Sequence, residues 1–283
     1  VVMQDIKLFV CCHQQTEAPE HPLLVPVQVG AALSNIRFPG FLQDNTGDNI
    51  STKNRSYCEL TAQYWAWRNI AADYYGFFHY RRYLYPDTAA KRPYRIELRP
   101  TKALLSRLGY GRFPELIQKY DVILPKGEDM YIPVREHYGK ATFHHNQDLR
   151  RIEKIIHSHY PKYAEAMEQY LSDSVCYFGN IFIMRRDIFY QYCAWLFSIM
   201  DEFDASSINR GYTAQEQRVN GYLAERLLGV YVAQMRRDPS VKFLELPRVH
   251  FDNSRVRICQ KRAINWVLPP GTRRRAMVKQ ILF

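Results

Sequence analysis

The segment that decides the fold reads GFFHYRRY at residues 76–83. Its apolar run stops at His79, and two adjacent arginines, Arg81 and Arg82, follow between tyrosines. This pattern predicts a buried strand that carries charged side chains to the edge of a sheet. Ligands of open α/β sheets bind outside the carboxyl ends of the strands, and guanidinium groups match phosphate oxygens. The segment therefore predicts a site for a small ligand that carries phosphate. The alternative is a set of surface cations packed against aromatic rings.

Further short apolar segments predict the other strands of the sheet, at residues 6–12, 25–29, 120–124, 175–184 and 241–246, and Gly179 and Asn180 break the pattern at 175–184. Helical patterns alternate with them, at residues 56–70, 100–108, 113–119, 135–170, 187–203 and 218–231, with an interruption at Pro161. The helix at 56–70 begins with Ser56 and Glu59 in the arrangement of a capping box. Residues 81–99 are polar and contain prolines, which predicts a loop. The alternation of strands and helices predicts an α/β fold with a mixed sheet.

The composition favours a protein with a real core and no membrane span. The chain has 283 residues, 47% of them hydrophobic, and no apolar run approaches the ~20 residues that a transmembrane helix needs. Residues 1–10 predict a first strand rather than a signal peptide. The six cysteines form no C-x-x-C pair, so we expect reduced thiols in a cytoplasmic protein.

The net charge of +11 comes mostly from one end of the chain. Residues 253–283 contain eight Lys and Arg and no Asp or Glu, which leaves 31 basic against 28 acidic residues elsewhere. Apolar side chains such as Trp266 are mixed with these cations, which predicts contact with an anionic membrane surface. The alternative is a basic helix packed on the domain by its apolar face. Nucleic acid is a poor candidate partner, because the rest of the chain has little basic excess and no familiar motif. We therefore divide the chain into a domain at 1–252 and a basic tail at 253–283.

Carboxylates that could act in a reaction occur in two places. Asp44 and Asp48 lie in the turn-rich loop at 38–54, where they could bind sugar hydroxyls or a divalent cation, or make ordinary turn hydrogen bonds. Glu216 precedes a helix, and a carboxylate there could serve as a general base or form a surface salt bridge. Glu59 has a structural explanation in the capping box and a catalytic role as its alternative.

Several common motifs are absent from the sequence. There is no H-E-x-x-H, G-x-S-x-G, P-loop or G-x-G-x-x-G, which argues against a zinc protease, an α/β-hydrolase, a P-loop NTPase and a dinucleotide enzyme. No Asp-x-Asp triplet occurs either, so a bound Mn²⁺ or Mg²⁺ is possible but has no motif to support it.

The run NISTKNRSYCELTAQYWAWRNIAADYYGFFHYRRYL, residues 49–84, closely resembles a bacterial family of capsule, exopolysaccharide and O-antigen glycosyltransferases. That family was long described as a domain of unknown function, and it has galactofuranosyltransferase members. Matching stretches are PVQVGAAL (26–33), YFGNIFIMRRDIFYQYCAWLF (177–197), GYLAERL (221–227) and LPPGTRRR (268–275). The resemblance runs from the first strand to the basic tail.

The resemblance implies a GT-A-like fold with a mixed, mostly parallel sheet. It also implies inverting transfer of galactofuranose from UDP-galactofuranose to a lipid-linked glycan, at the inner face of the plasma membrane. The HYRR segment takes the place where many GT-A enzymes carry Asp-x-Asp. Candidate donor-binding residues are His13, His79, Arg81, Arg82, Asn54 and Glu59. Candidate acceptor-binding residues are Tyr177, Asn180 and Arg218. The resemblance does not indicate the catalytic base, for which the sequence itself offers Glu216, Asp48 and Asp44 as candidates. Two alternatives stay open: a transferase for UDP-galactopyranose or another UDP-hexose, and a non-catalytic module that binds nucleotide sugars.

Overall fold

The computed structural model describes residues 4–17, 19, 21–206 and 211–282, with side chains described as far as residue 278. The strands are β1 (Ile6–Cys12), β2 (Leu24–Gln28), β3 (Leu42–Gln43), β4 (Tyr74–His79), β5 (Arg82–Leu84), β6 (Tyr94–Glu97), β7 (Val122–Pro125), β8 (Glu128–Asp129), β9 (Val175–Cys176), β10 (Phe182–Arg185), β11 (Phe243–Leu246) and β12 (Arg248–Phe251). The helices are α1 (Asn54–Tyr57), α2 (Leu60–Asn69), α3 (Lys102–Arg107), α4 (Phe113–Ile117), α5 (Val134–Lys140), α6 (Asn146–His159), α7 (Ala164–Ser172), α8 (Arg186–Ser206), α9 (Val219–Met235), α10 (Arg255–Val267) and α11 (Arg273–Leu282).

The central sheet has the strand order β11-β7-β10-β4-β1-β2-β3. Strand β1 is parallel to both β2 and β4, and β7 is parallel to β11. Strand β10 is antiparallel to its neighbours β4 and β7. The predicted α/β fold with a mixed, mostly parallel sheet is therefore confirmed. The carboxyl ends of β1, β2, β4 and β7 meet at one edge, and β10 begins at that edge.

Each face of the sheet packs against its own apolar layer. On β4, the rings of Tyr75 and Phe77 point to one layer and those of Tyr74 and Phe78 to the other, as strand alternation requires. Phe77 stacks on Phe9 of β1 and on Phe189 of α8. Gly76 lies between them, and a Cβ there would come within 2.5 Å of Leu8 Cδ2. The deciding segment is thus a central strand, with room for only a glycine at its middle.

Two predictions about local structure are wrong. Residues 81–99 are not one loop, because β5 and β6 form there and both pair with β12, a strand that the sequence did not reveal. The predicted helix at 56–70 is broken at Cys58, whose φ of 53° and ψ of −128° separate α1 from α2. Ser56 caps nothing at this break and instead donates to Asn220 Oδ1 at 2.6 Å.

The tail forms α10 and α11. Ile258 and Asn265 of α10 are buried, and Arg262 donates to the Ile96 carbonyl at 2.7 Å on β6. Trp266, in contrast, is 79% exposed. The tail therefore packs on the sheet extension while it leaves large apolar side chains in solvent. In the part of the chain that the structure describes, no helix has both the length and the apolarity to cross a bilayer.

Candidate active site

A cleft of about 390 Å³ opens where β1, β2 and β4 end and α2 begins. This is the edge at which open α/β sheets bind ligands. Five residues predicted from the sequence line the cleft: His13, Asn54, Glu59, His79 and Arg218. Segments far apart in the chain are brought together there because consecutive parallel strands all deliver their carboxyl ends to one edge.

Two histidines stand at the strand ends. His79 pairs with Cys11 in the β1–β4 register, and its ring lies 6.2 Å from the ring of His13, centroid to centroid. Burial, with the nearby guanidinium groups of Arg82 and Arg81, lowers the pKa of His79 to about 3. Burial and Arg218 also lower the pKa of His13. His79 is therefore neutral at physiological pH and can donate or accept a hydrogen bond.

The two adjacent arginines of the HYRR segment point to different places. Arg82 pairs in register with His79 on β4 and with His250 on β12, so the three side chains form a row across the sheet. Arg81 turns the other way, and its guanidinium lies 5.0 Å from the Tyr80 ring centroid, in a neighbouring cleft. Only Arg82 of the pair therefore belongs to the row of side chains that begins at His79.

Arg82 is a partly buried cation without a tight partner. Within the described residues its guanidinium makes no hydrogen bond or ion pair, and burial together with Arg248 lowers its pKa. The carboxylates of Glu225 and Glu59 lie near enough to act on it electrostatically. Arg218 immediately precedes α9 and donates from Nε to Cys58 Sγ at 3.2 Å. Arg218 therefore brings a guanidinium group to the wall of the cleft, and Arg82 holds a second one next to His79.

Glu59 owes its position to the break at Cys58. A positive φ is strained for a residue with a side chain, and such strain is often found at functional sites. The break turns Glu59 into the cleft, where its Oε1 accepts a hydrogen bond from Asn180 Nδ2 at 2.9 Å. Burial raises the pKa of Glu59, with a further contribution from Glu225, while the Asn180 hydrogen bond opposes the rise. A carboxylate with a raised pKa suits general base chemistry.

The turn before β10 holds this carboxylate in place. Gly179 and Asn180 have φ values of 90° and 50°. The Gly179 N–H donates to Glu225 Oε1 at 2.8 Å, and Asn180 Nδ2 also donates to the Gly221 carbonyl at 3.1 Å. Asn180 is only 2% exposed. It was predicted as an acceptor contact, but it positions Glu59 instead.

Asp44 and Asp48, two of the three predicted bases, do not line the cleft. Asp44 is fully buried, and its carboxylate accepts hydrogen bonds from the Gly30 and Ala31 N–H groups and from two hydroxyls. Asp48 pairs with Arg68 at 2.6 Å, near the last residue of α2. Because ten helical residues span about 15 Å, Asp48 lies at the far end of α2 from Glu59. Both carboxylates therefore hold loops.

Glu216 and Tyr177 are also engaged away from the cleft. Glu216 accepts hydrogen bonds from the N–H and hydroxyl of Thr213 and lies 3.0 Å from His145 Nε2. These bonds lower the pKa of Glu216, which makes it a poorer base. Tyr177 is buried and donates to Glu245 Oε1 at 2.8 Å. Its predicted contact with an acceptor sugar is replaced by this internal bond. The rest of the aromatic run at 177–195 is mostly core.

Sequence reasoning missed two contributors to the site. Glu225 is not among the predicted site residues, although it fixes the turn before β10. His250 lies on the unpredicted strand β12, and burial with the charges of Arg248 and Arg82 lowers its pKa to about 2. The GYLAERL match could have identified Glu225, whereas no local signal identifies His250.

The residues at the cleft do not fit a divalent cation. The guanidinium groups of Arg218 and Arg82, beside the neutral His79, repel a dication. Glu59 and Glu225 are committed to Asn180 and Gly179. In the described part of the chain, no three His, Cys, Asp or Glu side chains are grouped as metal ligands.

Comparison with known proteins gives two findings. The chain is similar to the apo structure of the bifunctional glycosyltransferase WbbM, with 32% identity and a TM-score of 0.83 over 88% of this chain. It spans only 46% of the WbbM chain. No curated protein matches it. A family model described as "Domain of unknown function (DUF4422)" matches residues 7–237. The chain therefore belongs to the DUF4422 family.

Proposed function

We propose that this chain is a glycosyltransferase that moves galactofuranose from UDP-galactofuranose to a hydroxyl of a lipid-linked glycan, with inversion. The observation that carries the proposal is the cleft at the sheet edge, where Arg82 and Arg218 stand beside the neutral His79 and a carboxylate, Glu59. The likeness to WbbM supports glycosyl transfer in general, and the sequence resemblance supports the galactofuranose donor.

In this proposal the donor lies across the strand ends. The uridine sits near His13, after β1. The guanidinium groups of Arg82 and Arg218 bind the diphosphate, which supplies the ion-pair partner that the partly buried Arg82 otherwise lacks. Fixed cations aimed at developing charge are commonly the largest single contribution to catalysis. They take the role that a metal ion has in enzymes with Asp-x-Asp, so we expect turnover to survive chelation of divalent cations.

Glu59 acts as the general base. It removes the proton of the acceptor hydroxyl, whose oxygen forms a bond to the anomeric carbon. The bond from that carbon to the diphosphate oxygen breaks on the opposite face, which inverts the anomeric centre. UDP leaves with the electron pair, and Arg82 and Arg218 stabilise its charge. Asn180 holds Glu59 towards the cleft throughout.

The basic tail places the enzyme at an anionic membrane, on the cytoplasmic side. Arg273 and Arg274 are exposed, and so are Trp266 and Met277, at 79% and 53%. Each basic residue near an anionic surface contributes about 1 kcal/mol. Replacing Arg273 and Arg274 with Gln and Trp266 with Ser should reduce co-sedimentation with anionic liposomes. Unchanged sedimentation would remove the membrane from this proposal.

The function is tested by a donor screen with the purified chain. UDP-galactofuranose, UDP-galactopyranose and other UDP-hexoses are each offered with lipid-linked acceptor mimics, and the product linkage is read by NMR. We expect transfer from UDP-galactofuranose and a β-linked product. Transfer from a pyranose donor alone would correct the donor, and UDP binding without turnover of any donor would support a non-catalytic module.

A further inference from the structure

A second cleft, of about 520 Å³, lies beside the active site. Its walls come from the loop after β1, the β4–β5 turn, residues 99–100 after β6, and the end of β12 with α10. We call it the tail cleft, because α10 of the basic tail closes one side. Arg81 lines it, two residues after His79 of the active site. The catalytic scheme proposed above uses none of its residues.

The tail cleft carries an excess of positive charge. Four cations line it, Arg81, Arg99, Arg257 and Lys261, against the two carboxylates of Glu17 and Asp252. Glu17 pairs with Arg99 at the surface, at 3.0 Å. Among the described residues Arg81 has no carboxylate partner. The balance of two positive charges matches a diphosphate diester, which carries one negative charge on each phosphoryl group.

One buried carboxylate organises two of these cations. Asp252 has a side chain only 10% exposed, and it binds Arg257 Nε at 3.0 Å and Lys261 Nζ at 2.7 Å. These bonds lower the pKa of Asp252 to about 2, so it is ionised and fixes both cations at the mouth of the tail cleft. The pair keeps one net positive charge after Asp252 is neutralised. A cation pair held in this way is preorganised for an anion.

The outer side of α10 is apolar next to this cation pair. Val256, Ile264 and Val267 recur at helical spacing and are 68%, 52% and 64% exposed. An apolar stripe left in water beside fixed cations suits a ligand with a hydrocarbon chain attached to an anionic group.

We propose that the tail cleft binds the diphosphate that joins the acceptor glycan to its lipid, with the lipid chain along the exposed face of α10. The proposal rests on the transfer function proposed above. It makes α10 part of the acceptor site, so that an acceptor is recognised by its anchor as well as by its sugar.

The test uses the full chain with Arg257→Gln and Lys261→Gln together. The matched control is Arg237→Gln with Lys140→Gln, which removes the same charge from two exposed ion pairs outside both clefts. Two acceptors share one glycan, which is carried by a short isoprenyl diphosphate in the first and by an alkyl glycoside in the second. We expect the KM for the diphosphate acceptor to rise about tenfold or more in the test variant, since two charge-assisted contacts are lost. The KM for the alkyl glycoside and the Kd for UDP should stay within about twofold.

Three results would overturn the proposal: no change in either KM, an equal rise for both acceptors, or weaker UDP binding.

A binding experiment distinguishes a diphosphate that is attached to a lipid from free diphosphate. The chain is titrated with isoprenyl diphosphate alone and with inorganic diphosphate, and binding is followed by tryptophan fluorescence. Tighter binding of the isoprenyl form, lost in the test variant, supports the lipid anchor, whereas equal binding of both assigns the tail cleft to free diphosphate. These titrations need no turnover, so they stand even if the proposed transfer reaction fails. Arg257→Lys keeps the charge and should retain most of the affinity.

Discussion

Arg82→Gln separates the catalytic account from a purely structural one. Arg82 has no hydrogen bond or ion pair within the described residues, and burial and Arg248 lower its pKa. Removing its charge therefore breaks no hydrogen bond or ion pair, and the repulsion from Arg248 and Arg81 that it relieves outweighs the attraction of Glu225 and Glu59 that it loses. We expect the free energy of unfolding of the ligand-free protein to stay the same or to rise. A guanidinium that serves only the fold would give the opposite result.

The binding of UDP should weaken at the same time. A hydrogen bond to a charged group contributes about 1.5–3 kcal/mol, which corresponds to a roughly 10- to 150-fold rise in the Kd for UDP. Turnover should fall further, by about a hundred- to a thousandfold, because Arg82 also stabilises the departing UDP. Calorimetric titration with UDP, a steady-state assay and chemical denaturation measure the three quantities. The control is Arg68→Gln, which removes an exposed arginine at the far end of α2.

A variant with normal UDP affinity and turnover but lower stability would show that Arg82 serves the fold and not the donor. The imidazole of His79 gives an independent check by NMR. Burial and then Arg82 are the largest causes of its lowered pKa, so the pKa should rise above about 3 in Arg82→Gln.

Three further predictions concern the base, the histidines and the buried aspartate. Glu59→Gln should lower kcat about a hundredfold or more while the Kd for UDP stays within about threefold. If Glu225→Gln has this effect and Glu59→Gln does not, the general base is Glu225. The pKa of His250 is about 2 in the folded state and about 6.5 in the unfolded chain. As the pH falls, the unfolded chain therefore binds a proton first, and the folded protein loses stability below about pH 6.5. Between pH 7 and pH 5 this loss should reach about 2 kcal/mol in urea unfolding, and His250→Gln should remove it. If the free energy of unfolding depends on pH in the same way in the wild type and in the variant, the pKa of His250 is not lowered by folding. Asp44→Ala should lower the free energy of unfolding by about 3–5 kcal/mol, because it leaves two backbone N–H groups and two hydroxyls without an acceptor. Asp48→Ala should change it by no more than ~1 kcal/mol. Equal losses of stability in thermal unfolding of the two variants would mean that Asp44 does not anchor its loop.

Where the chain forms a long buried strand, its sequence predicted the structure well. Residues 6–12 were predicted as a strand and are β1, and the deciding segment forms β4, because continuous apolar runs leave few alternatives for a strand buried on both faces. Short strands such as β5 were not foreseen, since three residues carry no period and β5 exists by pairing with β12, far along the chain.

The site was predicted in part, and the failures have a common cause. The capping box at Ser56 and Glu59 satisfied every local rule, but the partners of these residues are Asn220 and Asn180, 164 and 121 positions away. The predicted base Glu216 likewise depends on His145, 71 positions away. A sequence pattern shows which side chains can do chemistry, whereas long-range hydrogen bonds decide which of them are free to do it.

The central claim is that the guanidinium groups of Arg82 and Arg218 hold the nucleotide diphosphate at the sheet edge. A crystal structure of the full chain with UDP measures this most directly. The account predicts both phosphates within hydrogen-bond distance of these two side chains, about 3 Å, with the uracil near His13. Phosphates bound in the tail cleft, or far from the ends of β1 and β4, would contradict it.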